Sequence, residues 1–262
     1  MAQEVYGLTL HLAGEGGIKM KKMRIKWLFL IFAIFLGMIY ILNIKVTTQQ
    51  GINYQWQAIE IPLYLKVLDF FDRHYNYKWT VKRIIGDSKP VVSGANLTEE
   101  ERIMKIFKWA HENIKKTPEG YPIIDDHVWH IIVRGYGVDD QSSDVFTTLC
   151  NYAGVDAFYS WVYTEDRSSR IPLSFVRIEE QWKVFDPYNG VYFKNKKGNL
   201  VNIEEIMKGE WVEESIDKDM KTDVQYKSYL KNLKSIGDME FKRANTQSPL
   251  NRLKYQIKKW LN

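Results

Sequence analysis

The stretch of sequence that decides the fold spans residues 135–187 and reads GYGVDDQSSDVFTTLCNYAGVDAFYSWVYTEDRSSRIPLSFVRIEEQWKVFDP. A turn containing two glycines leads into a segment whose apolar residues recur at helical spacing. This predicted helix begins near Gln141 or Ser142 and stops at Gly154, a residue type that commonly follows a helix. Three segments typical of strands come next, at 157–163, 173–178 and 182–185. The order therefore predicts one helix followed by three strands.

This order resembles the core of the transglutaminase-like superfamily. In that family the helix begins with a nucleophilic Cys in a Gly-x-Cys-Asp/Glu pattern. The following strands bring a His, often in His-x-x-x-Glu-Val, and an Asp, often in Trp-x-x-x-Asp-Pro. The helix N-terminus and the imidazolium stabilise the thiolate, and the Asp orients the imidazole. The resemblance covers about residues 99–193 and implies an α+β fold, with the helix packed against a small antiparallel sheet and with added helices before and after it.

The triad positions carry other residues in this chain. Asp139 stands where the family has its Cys, and Leu173 or Ser174 stands where the His is expected. Asp186, in the Trp-x-x-x-Asp-Pro block, is the one match, and the chain has no His after His130. A carboxylate is a poor nucleophile for acyl transfer, and without imidazole no general base remains. The resemblance therefore implies a transglutaminase-like fold whose triad is degenerate, and no catalytic residue is expected.

Cys150 is the single cysteine of the chain, which excludes a disulfide within it. It lies about two turns into the predicted helix, on the face shared by Phe146, Leu149 and Ala153. A thiol at this position has lost the helix N-terminus that would lower its pKa. We predict that Cys150 packs in the core as a small apolar group.

Asp139 and Asp140 allow two interpretations. As structural residues they lie at a helix N-terminus, where carboxylates accept backbone N–H bonds. As functional residues they could join Asp126, His127 or His130 in a metal or acid–base site. Two histidines three residues apart, with a Trp between them, are not a specific zinc signature. We therefore favour capping, and predict no metal and no cofactor.

A ligand cleft is the other candidate use of this region. The aromatic residues Phe158, Tyr159, Trp161 and Tyr163 alternate along one predicted strand, so half of them should be core and the others could line a sugar- or peptide-binding groove. The cleft candidates taken together are Asp139, Asp140, Gln141, Trp161, Ser174, Trp182, Asp186, His127 and His130.

A hydrophobic segment near the N-terminus predicts a membrane anchor. Residues 27–42 carry no charge, and the segment extends to Ile44, which gives roughly 27 Å of helix. Basic residues cluster just before it, at Lys19, Lys21, Lys22, Arg24 and Lys26. The positive-inside rule then places the N-terminus in the cytoplasm. The end of the segment lacks the small residues of a signal-peptide cleavage site, so we expect an uncleaved anchor.

The expected organisation follows from this anchor. Residues 1–26 form a cytoplasmic N-terminus, 27–44 the anchor, 45–59 a polar tether, and 60–262 an exported domain. Within that domain a helix should begin near Pro62, and a capping box at Thr98 and Glu101 should start the next one. Helices are also expected around 202–208 and 224–233, and a basic amphipathic helix over 250–261 that packs on the domain or lies on anionic lipid.

The distribution of charge argues against a nucleic-acid partner. The net charge is +5, and residues 1–45 carry six basic and two acidic residues, or +4, which leaves +1 for the rest of the chain. A nucleic-acid binder needs its basic residues gathered on the folded surface. Most of the excess positive charge, five basic minus two acidic residues or +3, instead precedes the predicted anchor.

Two functions remain. The first is a non-catalytic binding or scaffold module in the bacterial cell envelope, on a single-pass anchor in the plasma (inner) membrane. Its partner would be an envelope protein complex or a glycan or peptide ligand, and analogy favours polysaccharide assembly or export. The second is an envelope hydrolase or transferase that uses Asp139, Asp140, Asp186 and His127 or His130. It requires these groups to converge in a cleft.

Overall fold

The structure, a computed structural model, describes residues 25–53, 55–86, 97–125, 127–217, 222–234, 236 and 257. Asp126 lies outside these residues, as do most of the predicted cytoplasmic N-terminus and all of the predicted amphipathic helix over 250–261 except residue 257. The chain divides into two compact units. The first comprises Met1–Thr48 and Ala58–Leu68, and the second comprises Gln49–Gln57 and Asp69–Asn262.

The first helix, α1, spans Ile25–Leu42 with a mean hydropathy of 2.4. Among the described residues it is the one helix long and apolar enough to cross a membrane. Its apolar side chains are exposed, as they are in a helix that faces lipid. The helix begins two residues before the predicted anchor and ends two residues before its predicted end.

Two strands occupy the segment for which the sequence predicted a polar tether over 45–59. They are β1, Lys45–Ile52, and β2, Gln55–Pro62. The β-branched residues of β1 favour an extended backbone. Asn53, between the strands, adopts a φ of 49°, which asparagine tolerates better than most residues. β1 also pairs antiparallel with the short strand β4, Ile124–Asp125, in a sheet of order β2-β1-β4.

Within the described residues, α1 is followed by the helices α2 Leu63–Gly86, α3 Glu99–Asn113, α4 Val128–Arg134, α5 Asp139–Tyr152, α6 Ile203–Lys208 and α7 Tyr226–Leu230. α2 starts directly after Pro62, as predicted. The capping box at the start of α3 is confirmed, because Glu101 N donates to Thr98 Oγ1 at 3.2 Å and Thr98 N donates to Glu101 Oε2 at 2.8 Å.

The main sheet has five antiparallel strands in the order β10-β9-β8-β7-β6. Its strands are β6 Ala157–Tyr163, β7 Arg170–Ile178, β8 Gln181–Asp186, β9 Val191–Lys194 and β10 Val212–Ser215. The three predicted strands are confirmed, and the α+β architecture is the one expected of a transglutaminase-like fold. A two-residue parallel pair, β3 Lys115–Lys116 with β5 Tyr136–Gly137, lies before α5.

Both faces of the main sheet are buried, and each packs against different helices. Val176 and Phe185 point to the face covered by α3 and α5, which we call the α5 face. Phe175 and Val184 point to the opposite face, covered by α6 and α7, which we call the α7 face. Because side chains alternate along a strand, the position of a residue in β7 or β8 decides which core it joins.

The turn between β8 and β9 depends on a glycine. Gly190 has a φ of +66°, and a Cβ added there would lie 2.8 Å from two atoms of the His111 ring. Gly198 has a φ of +84°, but a Cβ added there would meet no described atom within 4 Å. The two positions share the same conformational requirement and differ in the space around them.

We expect Gly190→Ala to destabilise the protein more than Gly198→Ala. Both substitutions put a side chain in the left-handed region, at about 1–2 kcal/mol, and only Gly190→Ala adds overpacking against His111, at about 1–3 kcal/mol. Urea unfolding of the full-length chain in detergent micelles measures the difference. Equal losses in the free energy of unfolding for the two variants would contradict this, because they would show that the His111 ring moves aside without destabilising the protein. Adding His111→Ala to Gly190→Ala removes the ring and should restore part of the lost stability.

Candidate functional site

Asp139, for which the sequence predicts the position of the family nucleophile, is the first residue of α5. The helix begins earlier than Gln141 or Ser142, so the sequence prediction of its start was wrong by two to three residues. Asp139 Oδ1 accepts a hydrogen bond from Asp140 N at 2.8 Å. Both acidic residues lie in the first turn, where the helix dipole stabilises negative charge.

Gln141 holds the start of α5 in place, which explains why the helix begins early. Its Oε1 accepts hydrogen bonds from Arg134 Nη2 at 2.9 Å and from Val138 N at 3.3 Å. Its Nε2 donates to the Ile124 carbonyl at 2.8 Å. The side-chain amide thus satisfies the backbone just before the helix, as a capping residue does. Gln141, a cleft candidate by sequence, is 6% exposed and is engaged in this structural role.

Asp186, at the position of the family acid, is buried and hydrogen-bonded. Tyr226 Oη donates to Asp186 Oδ2 at 2.7 Å, and Asn189 donates through its backbone N to Oδ1 at 3.1 Å and through Nδ2 to Oδ2 at 2.9 Å. The side chain lies on the α7 face, since it follows Val184 by two residues in β8. Burial raises the pKa of Asp186, although these three hydrogen bonds act in the opposite direction.

Asp139 and Asp186 are close enough to interact electrostatically. The negative charge of Asp139 adds to the rise in the pKa of Asp186. It also contributes, after burial, to a raised pKa of Tyr188, the second residue after Asp186. The Lys116 ammonium lies 4.8 Å from the centre of the Tyr188 ring. The two acidic triad positions thus lie in one region, beside a tyrosine and a lysine.

Leu173 and Ser174, the two candidates for the position of the catalytic His, are both buried, on opposite faces of the sheet. Leu173 is fully buried on the α7 face, the face that also carries Asp186. Ser174 is fully buried on the α5 face, opposite Tyr159 and Phe185. The Ser174 hydroxyl has no hydrogen-bond partner among the described residues. Neither side chain can take a proton from a nucleophile, because leucine has no basic group and the serine hydroxyl is sealed in the core.

The family of this region is settled by comparison. Residues 88–214 match the family model described as Transglutaminase-like superfamily. This region is a transglutaminase-like domain. The match contains α3, α5 and the five-stranded sheet except the last residue of β10, together with the three positions that the sequence analysis compared with the triad.

Two solved structures are similar to the chain. One, from Cytophaga hutchinsonii and provisionally described as a cysteine protease, is 15% identical, with 60% of this chain and 56% of that one covered and a TM-score of 0.35. The other, described as a TGase, is 11% identical, with 73% and 49% covered and a TM-score of 0.35. The chain thus spans about half the length of each. No curated protein matches the chain significantly.

One histidine of the transglutaminase-like domain lies beside the Asp-Pro block, and sequence reasoning missed it. His111, on α3, lies with Nδ1 3.0 Å from the Pro187 carbonyl and with Nε2 3.5 Å from Asp217 Oδ2. The first contact joins residues 76 positions apart, so no local motif could have indicated it. Each ring nitrogen faces an acceptor, and the imidazole positions the turn that follows Asp186.

His127 and His130 lie near α2. His127 Nε2 is 4.0 Å from Asp69 Oδ2, and the two histidine rings are 5.8 Å apart between centroids. Within the part of the chain that the structure describes, no group of three metal-ligating side chains comes together. Asp126, the third candidate of the sequence, lies outside that part.

The two tryptophans predicted for a cleft lie at separate places in the sheet. The Arg170 guanidinium lies 4.2 Å from the centre of the Trp161 ring, at the border of a surface cavity of about 620 Å³ along the β6 edge. Trp182 packs edge-on against Phe158, 5.2 Å between centroids, on the α7 face. A second cavity, of about 630 Å³, lies among α2, α3 and α4. Neither cavity is lined by a triad position.

Cys150 lies in the core of the domain, as predicted. It is fully buried on the α5 face of the sheet, together with Phe146 and Leu149. Burial raises the pKa of the Cys150 thiol well above its usual value. A buried thiol held in its protonated form is not a nucleophile.

We expect Tyr226→Phe to destabilise the domain by about 1–3 kcal/mol, because it removes a hydrogen bond to a buried carboxyl group. Tyr229→Phe is the matched control on the same helix. Tyr229 Oη lies 2.8 Å from Ser169 Oγ in an exposed pair, and its loss should cost less than about 0.5 kcal/mol. Urea unfolding at neutral pH measures both. A Tyr226→Phe variant as stable as Tyr229→Phe would contradict the structural role of Asp186.

Proposed function

We propose that the protein is a non-catalytic transglutaminase-like protein that binds or scaffolds a partner in the bacterial cell envelope. The observation that carries the proposal is the state of the triad positions: a carboxylate at Asp139, a core leucine at Leu173, and a buried acid at Asp186. Acyl transfer by this family needs a thiolate and an imidazole, and neither position can supply one.

The alternative is an envelope hydrolase or transferase that uses the remaining carboxylates. The effect of the Asp139 charge on the pKa of Asp186 favours it, since a carboxyl group with a raised pKa beside a second acid suits acid–base catalysis. However, such chemistry requires both groups to reach a substrate. Asp186 is 3% exposed and has hydrogen bonds on both oxygens. This geometry supports the binding module over the enzyme.

The membrane part of the proposal comes from α1 and the sequence before it. An 18-residue apolar helix matches the hydrocarbon thickness of a bilayer. Four basic residues precede it within six positions and a fifth, Lys26, is its second residue, whereas Lys45 is the nearest basic residue after it. This asymmetry supports a single-pass anchor in the plasma membrane with the N-terminus in the cytoplasm and the transglutaminase-like domain outside it.

Topology reporters test this orientation. A phosphatase fused after residue 262 should be active, since it folds only outside the cytoplasm, and a fluorescent protein fused at the N-terminus should be bright. Replacing Lys19, Lys21, Lys22, Arg24 and Lys26 by Gln should weaken or invert the orientation. An inactive C-terminal phosphatase on a stable membrane-bound fusion would contradict the proposed orientation.

Asp139→Ala tests the absence of catalysis. In a strain that lacks the gene, we expect the variant to restore the wild-type phenotype, because a binding module does not need this carboxylate for chemistry. It should also co-purify with the same membrane proteins as the wild type, compared by mass spectrometry. Asp223→Ala, which changes an exposed carboxylate, controls for the loss of charge.

One outcome would contradict the proposal that the protein is non-catalytic. If Asp139→Ala reproduced the deletion phenotype at a normal protein level, while Asp223→Ala did not, the Asp139 carboxylate would be required for the function of the protein. The co-purified partners would then decide between a loss of chemistry with the complex intact and a loss of the complex itself.

A further inference from the structure

Three tryptophans from three different helices line one groove of the domain. Trp79 comes from α2, Trp109 from α3 and Trp129 from α4, and the groove between them has a volume of about 630 Å³. This volume lies within the range of about 300–1,000 Å³ that small-ligand sites occupy. The groove shares no lining residue with the region around Asp139 and Asp186.

The three indoles are buried to different extents. Trp109 and Trp129 are partly buried against the core cluster, and Trp129 packs edge-on against Tyr77 at 5.9 Å between centroids. Trp79 is 50% exposed at the border of the groove. Core packing therefore accounts for parts of two rings and leaves a large aromatic surface open to solvent, which is typical of a binding site.

Positive charge is concentrated in the same groove. Among the described residues that line it, Arg83, Lys105 and Lys108 are basic and Glu112 is acidic, for a net charge of +2 (three minus one). Residues 46–262 carry only +1 in total, by subtraction of the +4 of residues 1–45 from +5. Lys108 and Glu112 are 3.7 Å apart with 62% and 50% of their side chains exposed. Such an exposed pair contributes little and can exchange for a ligand anion.

We propose that the groove between α2, α3 and α4 binds a segment of an acidic polysaccharide. The C–H face of a sugar ring is apolar and packs on an indole, while the carboxylates of uronic acids pair with Arg and Lys side chains. Tryptophans and cations side by side match this alternation of apolar and anionic groups. The inference rests on the proposed function in one respect, because a domain outside the cytoplasm is the one that meets such polymers.

The test uses the full-length protein in detergent micelles and isothermal titration calorimetry. The probes are hexamers of galacturonate and of hyaluronan, with maltohexaose as the neutral sugar and a thymidine decanucleotide as the competing polyanion. We expect the acidic hexamers to bind and maltohexaose not to bind. Because exposed charges are screened by salt, the affinity should fall at least about tenfold between about 50 and about 500 mM NaCl.

Matched variants locate the binding. Trp79→Ala should weaken the affinity at least about tenfold, whereas Trp56→Ala, which removes an indole that is 58% exposed outside the groove, should leave it unchanged. Lys105→Gln with Lys108→Gln should weaken binding and flatten its salt dependence. Lys196→Gln with Lys197→Gln removes the same charge from an exposed turn and should change neither.

The inference is overturned if neither acidic hexamer binds, if the decanucleotide binds more tightly than both, or if Trp79→Ala and Trp56→Ala weaken binding equally. These outcomes are distinct from failure of the proposed function. Asp139→Ala should bind the acidic hexamers as the wild type does, whether or not the protein is catalytic. If the hexamers do not bind, the complementation test of Asp139→Ala still decides whether the proposed function holds. Unfolding midpoints of all variants should match the wild type, since the substituted side chains are exposed or half-exposed.

Discussion

The transglutaminase-like domain depends on a sheet that is buried on both faces. Alternation along β7 and β8 sends Val176 and Phe185 to one core and Phe175 and Val184 to the other, so a shift of one residue would exchange every partner. The same alternation places Asp186 on the α7 face. The helix that covers this face then supplies Tyr226 as its hydrogen-bond partner. The alternation of side chains along β8 thus determines which helix supplies the hydrogen-bond partner of Asp186.

A catalytic triad lowers the free energy of unfolding, because it keeps ionisable groups in a partly desolvated cleft. In this domain two of the positions that the sequence analysis compared with the triad, Leu173 and Asp186, are buried. Leu173 contributes to the core of the α7 face where an imidazole would need a polar environment. Asp186 keeps its place in the Asp-Pro block, but its oxygens are bound by Tyr226 and Asn189. The hydrogen bond from Tyr226 to Asp186 thereby connects the sheet to α7.

The parts of the fold that could be predicted are those with a local signal. The alternation of β6 to β8 and the capping box at Thr98 depend on residues a few positions apart, and both were confirmed. β10 carries two adjacent glutamates and β9 has only four residues, so neither shows a clear period. The start of α5 depends on Gln141, whose partners include Ile124. The contacts of Tyr226 and His111 span 40 and 76 positions, beyond any motif.

The burial of Cys150 makes the protein a natural background for chemical labelling. It is the only thiol in the sequence, it is fully enclosed, and its raised pKa keeps it protonated. A cysteine introduced at any exposed position would therefore be the single reactive thiol of the native protein. Membrane-impermeant maleimides, spin labels and fluorophores could report on the accessibility, distances and movements of the domain, with no need to replace the native residue first.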